Sequence, residues 1–338
     1  MIESYINHIS YYLPEKILTN EDLATEFPEW SVEKIAKKIG INERHIAGED
    51  ETSLDMGVKA ANQLFEEYGV EADSIDYLLF CTQSPDYFLP TSACIMQDKL
   101  GLRKSCGALD FNLGCSGFIY GLSLAKGLIA SGIAKKVLLV CGETYSKFLN
   151  KSDKGNRTIF GDAASATLIS NEPYGLSAKI GQFDLGTDGS GAENLIVKAG
   201  GMRQPELLNE EIKDDYGNTT SDADLFMNGP EIFNFTSLNV PKLVENNIQK
   251  NELDMDDIQH FVFHQANAYM LNHLRKKIKV DKDRFPVRMD FCGNTVSSTI
   301  QIALRTLQDE NSIKSGERIL LAGFGVGYSW GAVTIELK

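Results

Sequence analysis

Short apolar runs alternate with helical stretches along most of the chain. The runs YLLF, KVLLV, FVF and RILLA are typical of strands that are covered on both faces. The stretch from Ser116 to Ala130 is apolar almost all round a helical projection, and the stretch from Ser298 to Leu307 is similar. This alternation predicts an α/β fold in which two buried helices lie between two sheets. Residues 186–230, rich in Gly, Asn, Asp and Thr, predict long loops suited to a substrate channel.

The chain also contains an internal repeat. DSIDYLLFCTQS resembles DDIQHFVFHQAN and aligns Ile75 with Ile258, 183 residues later. KKVLLVCG resembles ERILLAGF and aligns Val137 with Ile319, 182 residues later. In that register Cys115 aligns with Ser297, at the start of the second buried helix. The chain is therefore predicted to consist of two copies of one α/β unit. The predicted halves are residues 1–175, which carry the cysteine, and residues 176–338.

Composition excludes several classes of protein. The 338 residues are 43% hydrophobic and 24% charged, as in an ordinary globular protein. A net charge of −14 argues against a nucleic-acid partner. No signal peptide or membrane-spanning segment is predicted, because no suitable apolar run occurs. The six cysteines are scattered, and several lie in apolar runs, which is typical of reduced thiols, so a cytoplasmic location is expected.

The candidate chemistry centres on Cys115. The segment ALDFNLG predicts a strand that ends in glycine, and the buried helix follows at once. Cys115 therefore falls at or just before the first helical turn, where unpaired N–H groups and the helix dipole favour a thiolate. Gly114 and Gly117 leave room for a substrate carbonyl. The alternative is a small buried thiol that closes a strand–helix turn.

Two other polar residues are predicted to converge on Cys115. His264 follows the apolar run FVF, at the strand end where α/β folds place their sites. Asn294 lies in a glycine-preceded turn just before the second buried helix. Because the repeat brings the starts of both buried helices together, the three side chains are expected to lie close to one another. No metal-ligand spacing or nucleotide motif occurs in a convincing context, so no metal and no cofactor are predicted.

These motifs resemble the β-ketoacyl-ACP synthase III group of the thiolase superfamily over nearly the whole chain. They include GCSGFIYGLSLAKGLIASG, IFGDAASATLIS, FHQANAYML, GNTVSSTIQIAL and GFGVGYSWGAV, in this order. The resemblance implies a five-layered αβαβα thiolase-like fold and a homodimer. It also implies decarboxylative Claisen condensation of an acyl-CoA or acyl-ACP with malonyl-ACP, through an acyl-cysteine, in fatty acid biosynthesis. No cofactor is implied beyond these thioesters.

Matching positions imply roles for individual residues. Cys115 would be the acyl-carrying nucleophile, and His264 and Asn294 would donate hydrogen bonds to the enolate oxygen. Phe324 would line the site. The backbone N–H of Val326 would join that of Cys115 in an oxyanion hole.

The positions implied to bind substrates depart further from the family pattern. Leu89 falls where a residue of the dimer partner caps the acyl pocket. The arginine of HQANxR, used in carrier-protein docking, is replaced by Tyr269. CoA contacts are implied for Trp30 and for Lys154, which replaces an arginine. A basic run on the helix after HQAN could meet an acidic carrier protein or could be a solvated helix face. It comprises Arg275, Lys276, Lys277 and Lys279.

Other functions stay open on the residues alone. The order Cys, His, Asn also fits a cysteine hydrolase or thioesterase. A non-condensing acyltransferase or a non-catalytic partner subunit of the same family is a further alternative. Non-decarboxylating relatives carry a glutamate base near CTQSPDYF, where this chain has Gln83 and Ser84, with Asp86 as the closest acid. That difference favours decarboxylation, which needs no general base.

Overall fold

The computed structural model describes residues 2–207, 212–213 and 219–338. The helices in these ranges are α1 (Asn20–Glu26), α2 (Val32–Ile39), α3 (Ser53–Tyr68), α4 (Ser92–Lys99), α5 (Gly117–Ala130), α6 (Lys154–Arg157), α7 (Gly229–Lys250), α8 (Ala268–Lys277) and α9 (Thr299–Asp309). The strands are β1 (Tyr5–Tyr12), β2 (Lys16–Thr19), β3 (Glu43–Ile46), β4 (Tyr77–Cys81), β5 (Gly107–Phe111), β6 (Lys136–Glu143), β7 (Ala163–Ser170), β8 (Ala178–Thr187), β9 (Leu195–Ile196), β10 (Ile212–Lys213), β11 (Thr219–Thr220), β12 (Phe226–Met227), β13 (His260–Phe263), β14 (Arg318–Gly325) and β15 (Ser329–Leu337). Within the predicted loop region 186–230, residues 208–211 and 214–218 lie outside the described residues.

Nine of these strands form one mixed sheet in the order β13-β14-β15-β8-β1-β7-β6-β4-β5. The strand β4 pairs in parallel with both β5 and β6, and β13 pairs in parallel with β14. The other pairings in this sheet are antiparallel. The strands β5 and β13 therefore form its two edges.

The two ends of the sheet repeat one strand order. The order β4-β6-β7-β1 in the first half corresponds to β13-β14-β15-β8 in the second. The predicted offsets recur in the strand starts, since β4 begins at residue 77 and β13 at 260, and β6 begins at 136 and β14 at 318. The two sheets expected from the sequence are hydrogen-bonded into one, because Tyr5 and Ile6 of β1 pair with Lys179 and Ala178 of β8.

Helices cover the sheet in the αβαβα layering that the resemblance implied, which confirms the predicted fold class. Apolar side chains of α5 and α9 pack between the inner faces of both halves, in one buried cluster. The helices α3 and α4 cover the outer face of the first half. The helices α7 and α8 cover that of the second half. The central helices therefore carry the packing that holds the halves together.

The predicted central helices form where expected because each is apolar over most of its surface. In α5, Phe118, Ile119 and Leu122 are at most 1% exposed. In α9, Ile300 and Leu304 are likewise buried. Burying each such side chain stabilises the fold by about 1.5–3 kcal/mol relative to exposure. Among the described residues, no helix is long and apolar enough to cross a membrane.

Candidate active site

Cys115 lies in the turn between β5 and α5, two residues ahead of the helix. Glycine is required around it on steric grounds. A Cβ on Gly117 would lie 2.3 Å from Sγ of Cys81, and a Cβ on Gly325 would lie 2.8 Å from Sγ of Cys115. The close approach of β14 to the thiol therefore depends on the absence of a side chain at residue 325.

The protonation state of Cys115 differs from the prediction. The side chain is only 8% exposed. Burial, with the nearby carboxyl of Glu143, raises the pKa of the thiol to about 12. Hydrogen bonds from the backbone N–H groups of Cys115 and Val326 act in the opposite direction. The expected thiolate is thus not the resting form, because desolvation outweighs the helix start.

His264 directly follows β13, as predicted, and is 2% exposed. Burial lowers the pKa of its imidazole to about 3, so the ring is neutral at physiological pH. Its Nδ1 lies 2.8 Å from Oγ1 of Thr299, and that hydroxyl is also 3.1 Å from the carbonyl oxygen of Val296. The ring of Phe324 packs edge-on against it, with centroids 5.8 Å apart. These contacts fix the ring and leave Nε2 for a ligand.

Asn294 occupies the predicted turn, where Gly293 has a φ of +78°. Its Oδ1 accepts a hydrogen bond from the backbone N–H of Val296 at 2.9 Å. That contact sets the orientation of the amide, because only the oxygen can accept. One hydrogen of Nδ2 points to the carbonyl oxygen of Ala266 at 3.4 Å, and the other is left for a ligand. Val296 itself has a φ of +55°, which is strained for a β-branched residue.

The three predicted residues open onto one cavity of about 180 Å³. Cys115, His264, Asn294 and Phe324 line it together. The remaining wall is largely apolar and includes Ile159, Phe160, Leu195, Met227, Ile232 and Met270. The arrangement offers a sulfur nucleophile and two neutral hydrogen-bond donors within one desolvated space.

A buried acid beside this site was missed by the sequence analysis. Glu143 ends β6 and is fully buried. Its carboxylate accepts hydrogen bonds from the backbone N–H of Gln83 at 2.9 Å and from Oγ of Ser297 at 3.1 Å. Burial nevertheless raises its pKa to about 8. A terminal glutamate on the apolar run KVLLVCG was the signal that could have drawn attention to it.

Several predicted contact residues lie away from the cavity. Leu89 is 82% exposed on a surface loop. Trp30 lies under Nζ of Lys34, 5.2 Å from the ring centroid. Lys154 forms an ion pair with Glu29 at 2.8 Å, and Glu29 directly precedes Trp30 in the chain.

The predicted basic run on α8 is only partly available. Arg275 donates to the carbonyl oxygen of Val280 at 2.9 Å, and Lys277 donates to that of Ser237 at 2.7 Å. Lys276 is exposed. Tyr269, at the start of the same helix, is 65% exposed.

The fold places the protein among the thiolase-like condensing enzymes. The family model for 3-oxoacyl-[acyl-carrier-protein (ACP)] synthase III matches residues 109–189, and the model for the C-terminal part of that synthase matches residues 248–337. β-Ketoacyl-[acyl-carrier-protein] synthase III of Clostridium perfringens is 35% identical over 326 residues, which cover 96% of this chain and 97% of the relative. The chain therefore belongs to the 3-oxoacyl-ACP synthase III family and is an enzyme of that family.

Solved structures agree with this assignment. A 2.1 Å crystal structure of a 3-oxoacyl-(acyl-carrier-protein) synthase III has a TM-score of 0.96 and 48% identity, with 99% of each chain covered. A 3-oxoacyl-(acyl-carrier protein) synthase from Burkholderia xenovorans has a TM-score of 0.90 and 38% identity, covering 99% of this chain and 94% of the other. Family membership favours the condensing enzyme over the cysteine hydrolase that the residue order alone left open.

Proposed function

We propose that Cys115, His264 and Asn294 carry out the reaction of this family on this chain. That reaction condenses an acyl thioester with malonyl-ACP and gives 3-oxoacyl-ACP. The observation that carries the proposal is the single apolar cavity onto which the thiol, the imidazole and the amide all open. A condensing enzyme needs such a nucleophile and such donors in one site.

In the first half-reaction, the sulfur of Cys115 attacks the carbonyl of the acyl thioester. The backbone N–H groups of Cys115 and Val326, which favour the thiolate form of Cys115, are the proposed donors to the oxyanion. The bond to the leaving thiolate breaks, and that thiolate takes up the proton lost by Cys115. The products are the acyl-enzyme and a free thiol, so no net proton is consumed.

In the second half-reaction, malonyl-ACP loses CO2, and its thioester oxygen becomes an enolate oxygen. The free Nδ2–H of Asn294 and Nε2–H of His264 donate to that oxygen. For Nε2 to carry the proton, Nδ1 must accept the single hydroxyl hydrogen of Thr299, which the resting structure directs to the carbonyl oxygen of Val296. Thr299 is therefore a positioning residue. The enolate carbon then attacks the acyl carbonyl, and the sulfur of Cys115 leaves as a thiolate, which takes up one proton from water to restore the thiol.

A pair of variants tests these roles. Cys115→Ser is expected to abolish acyl loading because its hydroxyl is a far weaker nucleophile. Asn294→Ala is expected to load normally but to decarboxylate malonyl-ACP roughly 10²–10³-fold more slowly. Intact-mass spectrometry measures loading, and release of CO2 measures decarboxylation. Asn7→Ala, at a buried asparagine on β1, is the matched control and should retain both. Loss of loading alone in Asn294→Ala would contradict the assignment.

A homodimer built on the β5 edge of the sheet is also proposed. The loop after β4 exposes Tyr87 by 60%, Phe88 by 74% and Leu89 by 82%. Leu109 on β5 itself is 44% exposed. A contiguous apolar surface beside an unpaired strand edge favours association with a second copy. In the proposed dimer, Leu89 of each subunit caps the acyl pocket of the other.

The substrates reach the cavity as thioesters of CoA or of acyl carrier protein. Lys276 is the proposed contact for an acidic carrier protein, since its neighbours Arg275 and Lys277 are engaged with backbone carbonyls. Trp30 and Lys154 are the proposed contacts for CoA. The amphipathic ring and the ammonium group suit an adenine and a phosphate.

A further inference from the structure

A second cavity, of about 240 Å³, is distinct from the one that holds Cys115, His264 and Asn294. Leu195 lines both cavities. Val326, whose backbone N–H lowers the pKa of the Cys115 thiol, lines the second. An acyl group bound to the sulfur can therefore extend into this space. Its volume equals that of about eight water molecules in the liquid, which suits a short acyl chain.

Polar side chains form a connected chain along this second cavity. The hydroxyl of Tyr145 donates to Oε1 of Gln83 at 2.5 Å. Nε2 of Gln83 donates in turn to Oδ1 of Asn112 at 3.0 Å. Each contact fixes the orientation of an amide, so the free positions are N–H groups of Gln83 and Asn112 and a lone pair of Tyr145.

This polar chain lies directly against the nucleophile turn. A Cβ added to Gly114 would lie 2.4 Å from Oε1 of Gln83 and 2.9 Å from Cγ1 of Val326. Gly114 immediately precedes Cys115. The amide of Gln83 is therefore packed against the residue that precedes the nucleophile.

We propose that the acyl group carried by Cys115 is short and bears an uncharged oxygen, such as a hydroxyl, that hydrogen-bonds to Gln83, Tyr145 and Asn112. The proposal rests on the proposed function of Cys115. A plain alkyl chain would cover these donors without replacing the hydrogen bonds they make with water. A carboxylate or ammonium group on the chain would be unpaired, because the side chains that line the cavity are all uncharged.

A matched set of thioesters tests this specificity. Acylation of Cys115 by butyryl-CoA is compared with acylation by 2-hydroxybutyryl-CoA and 3-hydroxybutyryl-CoA, using intact-mass spectrometry for the rate. Condensation with malonyl-ACP gives kcat/KM for each. At least one hydroxyacyl thioester is expected to exceed butyryl-CoA by about 10-fold or more, because a site built to bind a hydroxyl rejects analogues without one.

Two variants test whether the preference for a hydroxyacyl thioester arises from hydrogen bonding or from the shape of the cavity. Gln83→Leu and Tyr145→Phe should each reduce the ratio of the hydroxyacyl rate to the butyryl rate toward parity. Tyr120→Phe is the control, because it removes a tyrosine hydroxyl that donates to Gly186 at 3.1 Å, outside this cavity. Equal rates for all three thioesters, or a preference for butyryl-CoA, would overturn the inference while leaving the proposed function standing. If none of them acylated Cys115, the proposed function would fall as well.

Discussion

Burial sets the charge of the reactive side chains. It raises the pKa of the Cys115 thiol to about 12 and that of the Glu143 carboxyl to about 8, and it lowers the pKa of His264 to about 3. Near pH 7 all three groups are therefore mainly neutral. A neutral cavity suits the enolate, because no negatively charged side chain there opposes the charge that forms on its oxygen.

The reactivity of Cys115 should therefore depend on pH. Alkylation by iodoacetamide is expected to accelerate by up to about 10-fold per pH unit from pH 6 to pH 9, without a plateau, because the thiolate fraction keeps rising below the pKa. Mass spectrometry of the labelled peptide measures the rate, and Cys115→Ser gives the background from other thiols. A plateau near neutral pH would show that the helix start, not burial, controls the pKa of the Cys115 thiol.

Glu143→Gln tests how the charge of Glu143 affects the alkylation rate of Cys115. The carboxyl is neutral below its pKa of about 8 and negative above it, and a negative charge disfavours the thiolate. The variant and the parent should therefore be alkylated at the same rate at pH 6–7. Above pH 8 the variant should react faster.

At the scale of elements, the ends of α5, α8 and α9 position several of the candidate functional side chains. Cys115 and Ser297 each stand two residues ahead of a central helix, as the repeat predicted. The last turn of α8 is basic, but two of its three cations are bound to backbone carbonyls. Lys276 is the cation of that turn for which the structure shows no such bond, so its ammonium group is the most available to an approaching acidic molecule.

Lys276→Glu should therefore weaken binding of the carrier protein. The KM for malonyl-ACP is expected to rise several-fold, and more at low salt, because like charges now meet. The rate of loading from acyl-CoA should stay the same. Lys314→Glu makes the same charge change in the loop between α9 and β14. This loop precedes the end of β14 that is opposite to Phe324. If both variants raised the KM equally, the effect would be one of net charge.

The secondary-structure elements could be predicted from the sequence more fully than the environment of the active-site residues. Strands such as β4 and β14 could be predicted because cover on both faces leaves an apolar run. Cys115, His264 and Asn294 were found because the repeat relates distant segments. Glu143 and Thr299 were not found, since their importance comes from contacts between segments far apart in the chain. The thiolate prediction failed because a helix start is a local feature, whereas burial depends on all the surrounding residues.

For the molecule as a whole, the exposed apolar loop predicts the oligomeric state. Leu89→Asp should shift the proposed dimer toward monomer, because burying a carboxylate in an apolar interface is costly. Light scattering coupled to size exclusion measures the mass. Leu238→Asp, at an exposed leucine on α7, is the matched control and should leave the mass unchanged. A monomeric parent protein would contradict the proposal directly.

The short strand pairing between the two halves of the chain has a practical consequence. Only two residue pairs join β1 to β8, and the exposed segment at residues 172–175 links β7 to β8. Severing the chain there would leave the sulfur on one fragment and the imidazole and carboxamide on the other. Neither fragment could turn over substrate by itself. Because α5 and α9 pack in one buried cluster across both halves, mixing the two fragments should restore product formation without a covalent link between them.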